Sequence, residues 1–138
     1  MVKSKFRILV ADPDPDIRDT LQLYFEANNH KVQTVDRVDD VLKMARAWQP
    51  HAILVSAEFR DDNPQQVYRA LTGDTLIGHI PVIMLLHLDD RQARLRALEV
   101  GIADIITKPF DIEELLLRVE AAIRLSTTRG KINIINHS

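Results

Sequence analysis

The sequence predicts a doubly wound, three-layer α/β domain. Three observations carry that expectation: five short apolar runs rich in Ile, Val and Leu, helical spacing in the stretches between them, and capping residues at the seams.

Strands are expected at Phe6–Ala11, Lys31–Val35, Ala52–Val55, Pro81–Leu86 and Ala103–Thr107. Continuous rather than alternating apolar runs suit strands of a parallel sheet covered on both faces. After the first run, Asp14–Pro15 supplies an N-cap carboxylate and a proline at the first helical position, and Ile17, Leu21, Tyr24 and Phe25 share one helical face. Asn28–Asn29 ends that helix. Val38, Val41, Leu42 and Ala45 give the second helix its apolar face, and Pro50 closes the segment. Past the third run, Phe59 to Pro64 has loop chemistry and a third helix is expected over about Gln65–Leu71. Gly78 precedes the fourth strand, and Gly101 separates the fourth helix from the fifth strand. Asp111 and Glu114 have capping-box spacing for the last helix, which turns Leu115, Leu116, Val119 and Ile123 inward. From Ser126 the helical pattern stops, and a polar stretch leads to a β-prone patch at Ile132–Ile135. The expected organisation is therefore one domain over residues 1–125 and a linker or tail over 126–138, which is a linker toward an output domain outside this chain, a strand that docks on a neighbour, or a disordered end.

Composition agrees with one folded unit. The 138 residues are 46% hydrophobic and 28% charged, with a formal net charge of -2, which fits neither disorder nor an electrostatic footprint for nucleic acid. The chain has no Cys, so disulfides, thiolate metal sites and a Cys nucleophile are excluded. No signal peptide and no apolar run long enough to span a membrane is present, and a soluble cytoplasmic domain is expected.

Three stretches resemble the receiver domain of bacterial two-component response regulators: the acidic cluster in Ile8–Asp14 (ILVADPD), the run Asp89–Phe110 (DDRQARLRALEVGIADIITKPF), and Lys108–Pro109 within it. The resemblance covers about residues 5–125 and implies a flavodoxin-like (βα)5 fold with strand order 2-1-3-4-5. It also implies that Asp12, Ser56, Leu86 and Lys108 converge at the carboxyl rim of the sheet, and that the Lys108–Pro109 peptide bond is cis.

Receivers transfer a phosphoryl group to an Asp, which needs that carboxylate, a divalent cation and hydrogen-bond donors around the transferred group. Matched by position, Asp12 is the first of the family's acidic pair, while Pro13 stands where the second, metal-touching acid belongs. Ser56 takes the acceptor position, Leu86 that of the hydroxyl residue, and Ile105 that of the aromatic that turns inward on activation. Asp12, Lys108 and Pro109 match the pattern. Magnesium is left with Asp12, Asp14 and backbone carbonyls, so no cofactor is expected and phosphorylation of Ser56 is not.

Taken singly, the remaining candidates have plain roles. Asp12 beside Lys108 makes a structural ion pair, Asp14 caps a helix with a secondary option as a cation ligand, and His87 fills the pocket mouth. Glu58, two residues past Ser56, either hangs over the same site or faces solvent, with solvent the expectation, and His30, His51 and His79 are expected on the surface or in loops without metal-ligand spacing. Arg91, Arg94 and Arg96 read as a solvated face. Leu117 falls off the buried stripe of the last helix, on a surface that receivers use for meeting partners.

The expected function is that of an atypical receiver, a phosphorylation-independent interaction and dimerisation module in signal transduction. It would act with a protein partner or output domain, or as a homodimer through the fourth helix, fifth strand and fifth helix, without binding nucleic acid or membrane itself. A receiver that still switches through modification of Ser56 or a ligand among Asp12, Ser56, His87 and Lys108 is the alternative. A Ser56-dependent hydrolase using His87 and Asp12 is more remote, because no G-x-S-x-G elbow surrounds Ser56.

Overall fold

The structure, a computed structural model, describes residues 5–59, 64–102 and 104–137. Strands and helices alternate throughout: β1 (Arg7–Ala11), α1 (Pro15–Ala27), β2 (Lys31–Val35), α2 (Asp39–Trp48), β3 (Ala52–Ser56), α3 (Pro64–Thr72), β4 (Val82–His87), α4 (Arg91–Val100), β5 (Asp104–Lys108) and α5 (Ile112–His137). The five strands form one parallel sheet in the order β2-β1-β3-β4-β5, the expected flavodoxin-like arrangement.

Strand pleat sorts the side chains into two layers. Ile8, Val10, Leu54, Ile83, Leu85 and Ile106 pack with Leu21 and Phe25 of α1 and with Leu115, Leu116, Val119 and Ile123 of α5. On the other face Leu9, Ala11, Ile53, Val55 and Val82 meet Val41 and Ala45 of α2 and Val67 and Leu71 of α3. Met84 and Leu86 pack there with Ala97 of α4 and with Ile102. Both faces are covered, which is why the strands read as unbroken apolar runs.

Caps stand at Asp14 and Asp111, where the sequence places them, and also at Asp90, which caps α4. Asp14 accepts from the Asp16 amide at 2.9 Å, Asp90 from Ala93 at 3.0 Å, and Asp111 from both Glu113 and Glu114 at 2.9 and 3.1 Å. Gly101 closes α4 at φ 90°, a left-handed conformation that costs glycine nothing.

Two expectations are corrected. The helical backbone does not stop at Ser126 but continues through His137, so Ile132–Ile135 lies within α5. Ser126 Oγ donates to the His79 carbonyl at 3.1 Å and Thr127 Oγ1 to the Ile123 carbonyl at 3.1 Å. These bonds satisfy the hydroxyls without breaking the helix, and β-branched residues disfavour helix by only a few tenths of a kcal/mol each. His30, expected on the surface or in a loop, lies in the loop between α1 and β2 but is buried, and its Nε2 lies 2.8 Å from the Glu120 carboxylate of α5. His51 is half-buried, with Nδ1 accepting from the Arg7 amide at 2.9 Å.

Candidate functional site

The carboxyl ends of β1, β3, β4 and β5 meet at one rim, and the chemistry gathers around Lys108. Register aligns Ala11 with Val55, Ser56 with Leu85, and His87 with Lys108. The chain leaves the sheet immediately after Ala11, Ser56 and His87, so Asp12, Glu58 and His87 project from adjacent strand ends.

Asp12 is fully buried. Its Oδ2 lies 2.8 Å from Lys108 Nζ, and its Oδ1 accepts from the Asp14 amide at 2.9 Å. Lys108 is 5% exposed, so this is a buried, hydrogen-bonded ion pair tying the end of β1 to the end of β5. Arg18 of α1 also donates to the Asp12 carbonyl at 2.8 Å. The Lys108–Pro109 peptide bond is cis, as the resemblance implies.

Ser56 is fully buried at the end of β3, and its Oγ accepts from the Glu58 amide at 3.0 Å. A hydroxyl that takes the amide two residues on reverses the chain locally. The turn brings Glu58 back over the rim, where Oε2 reaches Lys108 Nζ at 3.0 Å and Oε1 faces His87 Nε2. Glu58 therefore does not face solvent, contrary to expectation; its side chain is one quarter exposed. The signal was available in Ser56 and Glu58 themselves, a strand-end hydroxyl with a carboxylate two residues later, but the turn that aims one at the other is tertiary in its consequence.

An ammonium group has three N–H bonds to give. Lys108 directs them at Asp12 Oδ2 (2.8 Å), Glu58 Oε2 (3.0 Å) and, more weakly, Ser56 Oγ (3.4 Å). Its donor capacity is filled from within the chain.

Some of the other predicted residues stand as expected and some do not. Leu86 is fully buried under α4 with Met84, Ala97 and Ile102, and Ile105 packs against the same cluster. Pro13 and Asp14 are exposed, and Asp14 serves as the α1 cap. His87 is 62% exposed and faces Glu58 rather than Ser56, so Ser56, His87 and Asp12 are not strung together as a hydrolytic triad. Leu117 is 59% exposed on α5, off the buried stripe as expected, and Leu95 and Leu98 of α4 are exposed as well. Arg94 is half-buried and donates to the Leu88 carbonyl at 2.7 Å, which departs from a purely solvated face.

The residues do not fit a magnesium ion. Mg²⁺ takes near-octahedral oxygen ligation at about 2.0–2.1 Å. Here the two carboxylates that reach the rim converge on an ammonium, and the second oxygen of Asp12 is engaged by a backbone amide. A dication among them would displace Lys108 or sit against its charge. Among the described residues no group of three His, Asp or Glu side chains is arranged to hold a metal.

The family model described as response regulator receiver domain matches residues 8–120. The chain is 35% identical over 120 residues to the DNA-binding dual master transcriptional regulator RpaA of Synechocystis, covering 86% of this chain and 49% of that protein. It is 30% identical over 118 residues to the phosphate regulon transcriptional regulatory protein PhoB of Escherichia coli, covering 86% and 52%. The chain thus spans about half the length of these curated relatives. Among solved structures, the chemotaxis response regulator CheY4 of Vibrio cholerae superposes with a TM-score of 0.77 at 18% identity, covering 86% of this chain and 99% of that one. No helix among the described residues is long and apolar enough to cross a membrane.

Proposed function

The chain belongs to the response regulator receiver family, and from that premise we propose that it is an atypical member whose rim is held by its own side chains, a phosphorylation-independent docking module in signal transduction. The observation that supports this reading is the saturation of Lys108 by Asp12, Glu58 and Ser56. By the family resemblance, that lysine would otherwise receive an oxygen of the phosphorylated Asp. Here Ser56 at the strand end turns the chain, and the Glu58 carboxylate supplies the anion that a phosphoryl group would bring.

Ser56 is unsuited to replace an acceptor Asp. Its hydroxyl is fully buried and occupied by the Glu58 amide, and no free base adjoins it, since both carboxylates nearby are paired with Lys108. Leu86, buried in the α4 cluster, has no donor with which to sense an anion. The proposed output is docking through a fixed surface, in the cytoplasm, with a partner protein or an output domain of the same polypeptide. RpaA is described as DNA-binding; for this chain, with its net charge of -2, any such activity is assigned to another domain. Exposed Leu95, Leu98 and Leu117 favour contacts made by α4 and α5, including self-association.

The test is sedimentation of the chain, alone and with its partner once identified, in the presence and absence of acetyl phosphate and Mg²⁺. Identical association under both conditions is expected; association that requires the phosphodonor contradicts the proposal.

A further inference from the structure

We propose that the cavity at the amino-terminal end of the sheet is a binding site for a small organic carboxylate, separate from the rim at Lys108. This open cavity of about 430 Å³ is lined by Arg7, His51 and His79 around an apolar floor that includes Pro81, Ile80 and Ile123. Its volume lies within the range usual for small-molecule sites. It sits a strand length, about 15 Å, from the carboxyl rim.

The polar groups favour an anion. Arg7 spends Nε and one Nη on the Gln49 carbonyl at 3.1 and 2.7 Å; among the described residues the other Nη has no hydrogen-bond partner and no carboxylate forms an ion pair with the group. The Arg7 amide donates to His51 Nδ1 at 2.9 Å, so the neutral His51 ring carries its proton on Nε2 as a donor. Phe6 holds that ring edge-on at a centroid distance of 5.5 Å. The His79 ring has no hydrogen-bond partner among the described residues, while its carbonyl is fixed by Ser126. None of the residues lining the cavity is acidic. Burial first, and the Arg7 charge second, hold the His51 pKa below its ordinary value.

The occupant is a carboxylate on an apolar body because both halves of the cavity must be matched. The remaining Arg7 Nη and the imidazole donors suit a carboxylate, and the prolines and isoleucines suit a hydrocarbon or ring. Because Ile123, Ser126 and Thr127 of α5 form one wall, the bound anion would touch the helix that runs on to His137.

The experiment is an amide and histidine-ring NMR titration of the whole chain with benzoate, with benzyl alcohol and inorganic phosphate in parallel. Saturable shifts at Arg7, His51 and His79 with benzoate, a raised His51 pKa, little response to benzyl alcohol, and unmoved Asp12 and Lys108 signals are expected. Arg7→Gln and His79→Gln, tested separately so that a folding defect in one does not decide the matter, should each weaken binding by about tenfold. Absence of saturation at tens of millimolar benzoate, equal binding of benzyl alcohol, or unchanged affinity in both variants overturns the site. Phosphate binding as well as benzoate overturns the carboxylate specificity.

Discussion

The Glu58 carboxylate reaches Lys108 Nζ at 3.0 Å from a turn that the Ser56 hydroxyl makes. A residue two positions beyond the strand end thus supplies the negative charge at a rim whose strand-end residue is neutral. It also links the turn after β3 to the ends of β4 and β5, because Glu58 faces His87 of β4 while holding Lys108 of β5.

Removing that carboxylate is expected to cost a modest amount. Glu58→Ala should lower stability in urea by about 1 kcal/mol, since the group is partly exposed and Lys108 retains Asp12. A loss above about 3 kcal/mol would mean that the clamp, rather than the Asp12 pair, holds the rim.

Asp12 should matter more. Asp12→Ala leaves a buried ammonium facing one partly exposed carboxylate and is expected to cost about 3 kcal/mol in the same assay. Adding Lys108→Met should recover much of that loss, because it removes the stranded charge. A double variant no better than Asp12→Ala would place the stabilisation elsewhere.

On the proposed reading, placing a carboxylate at position 56 should not by itself give phosphorylation. In Ser56→Asp, Glu58 still competes for Lys108, Pro13 contributes no carboxylate, and Leu86 no hydroxyl. Incubation with acetyl phosphate and Mg²⁺, read by intact mass, should give at most slight labelling. Stoichiometric labelling of this single variant would show that Glu58 is readily displaced.

Two pKa shifts give pH dependences of defined sign. Burial, with Arg7 second, lowers the His51 pKa from 6.5, so folding favours the neutral ring. Its contribution is fully present above 6.5 and is lost as pH falls toward the depressed folded value. His51→Gln should flatten the slope of stability against pH in that window, and an unchanged slope would contradict this. The Arg46 hydrogen bond, assisted by the Leu76 amide, lowers the Asp74 pKa from 3.8. That contribution is present above 3.8 and disappears as pH falls further, so Asp74→Asn and the parent should converge in stability in strong acid.

The sheet was legible because its signals are local. Apolar runs bounded by Asp14–Pro15, Gly101 and Asp111 mark where strands end and helices begin, and each strand lies within a residue of its expected bounds. The Asp12–Lys108 pair followed from positions at two strand ends in a known topology. What escaped depended on side-chain direction in three dimensions. Glu58 looks like a loop acid until the Ser56 turn aims it inward, and His30 looks like a loop residue until Phe6 stacks on it and Glu120 arrives from α5. The run of α5 past Ser126 was hidden because Ser126 and Thr127 resemble helix breakers in sequence yet bond to backbone carbonyls in place.

The most direct measurement is an amide NMR titration with Mg²⁺ followed by beryllofluoride, a phosphoryl mimic, reading the signals of Asp12, Ser56, Glu58 and Lys108. A rim closed by its own carboxylates predicts no saturable shift at millimolar Mg²⁺ and none on adding the mimic. Saturable shifts at those residues, spreading to Ile105 and the Leu117 face, would contradict it and establish a working phosphate switch.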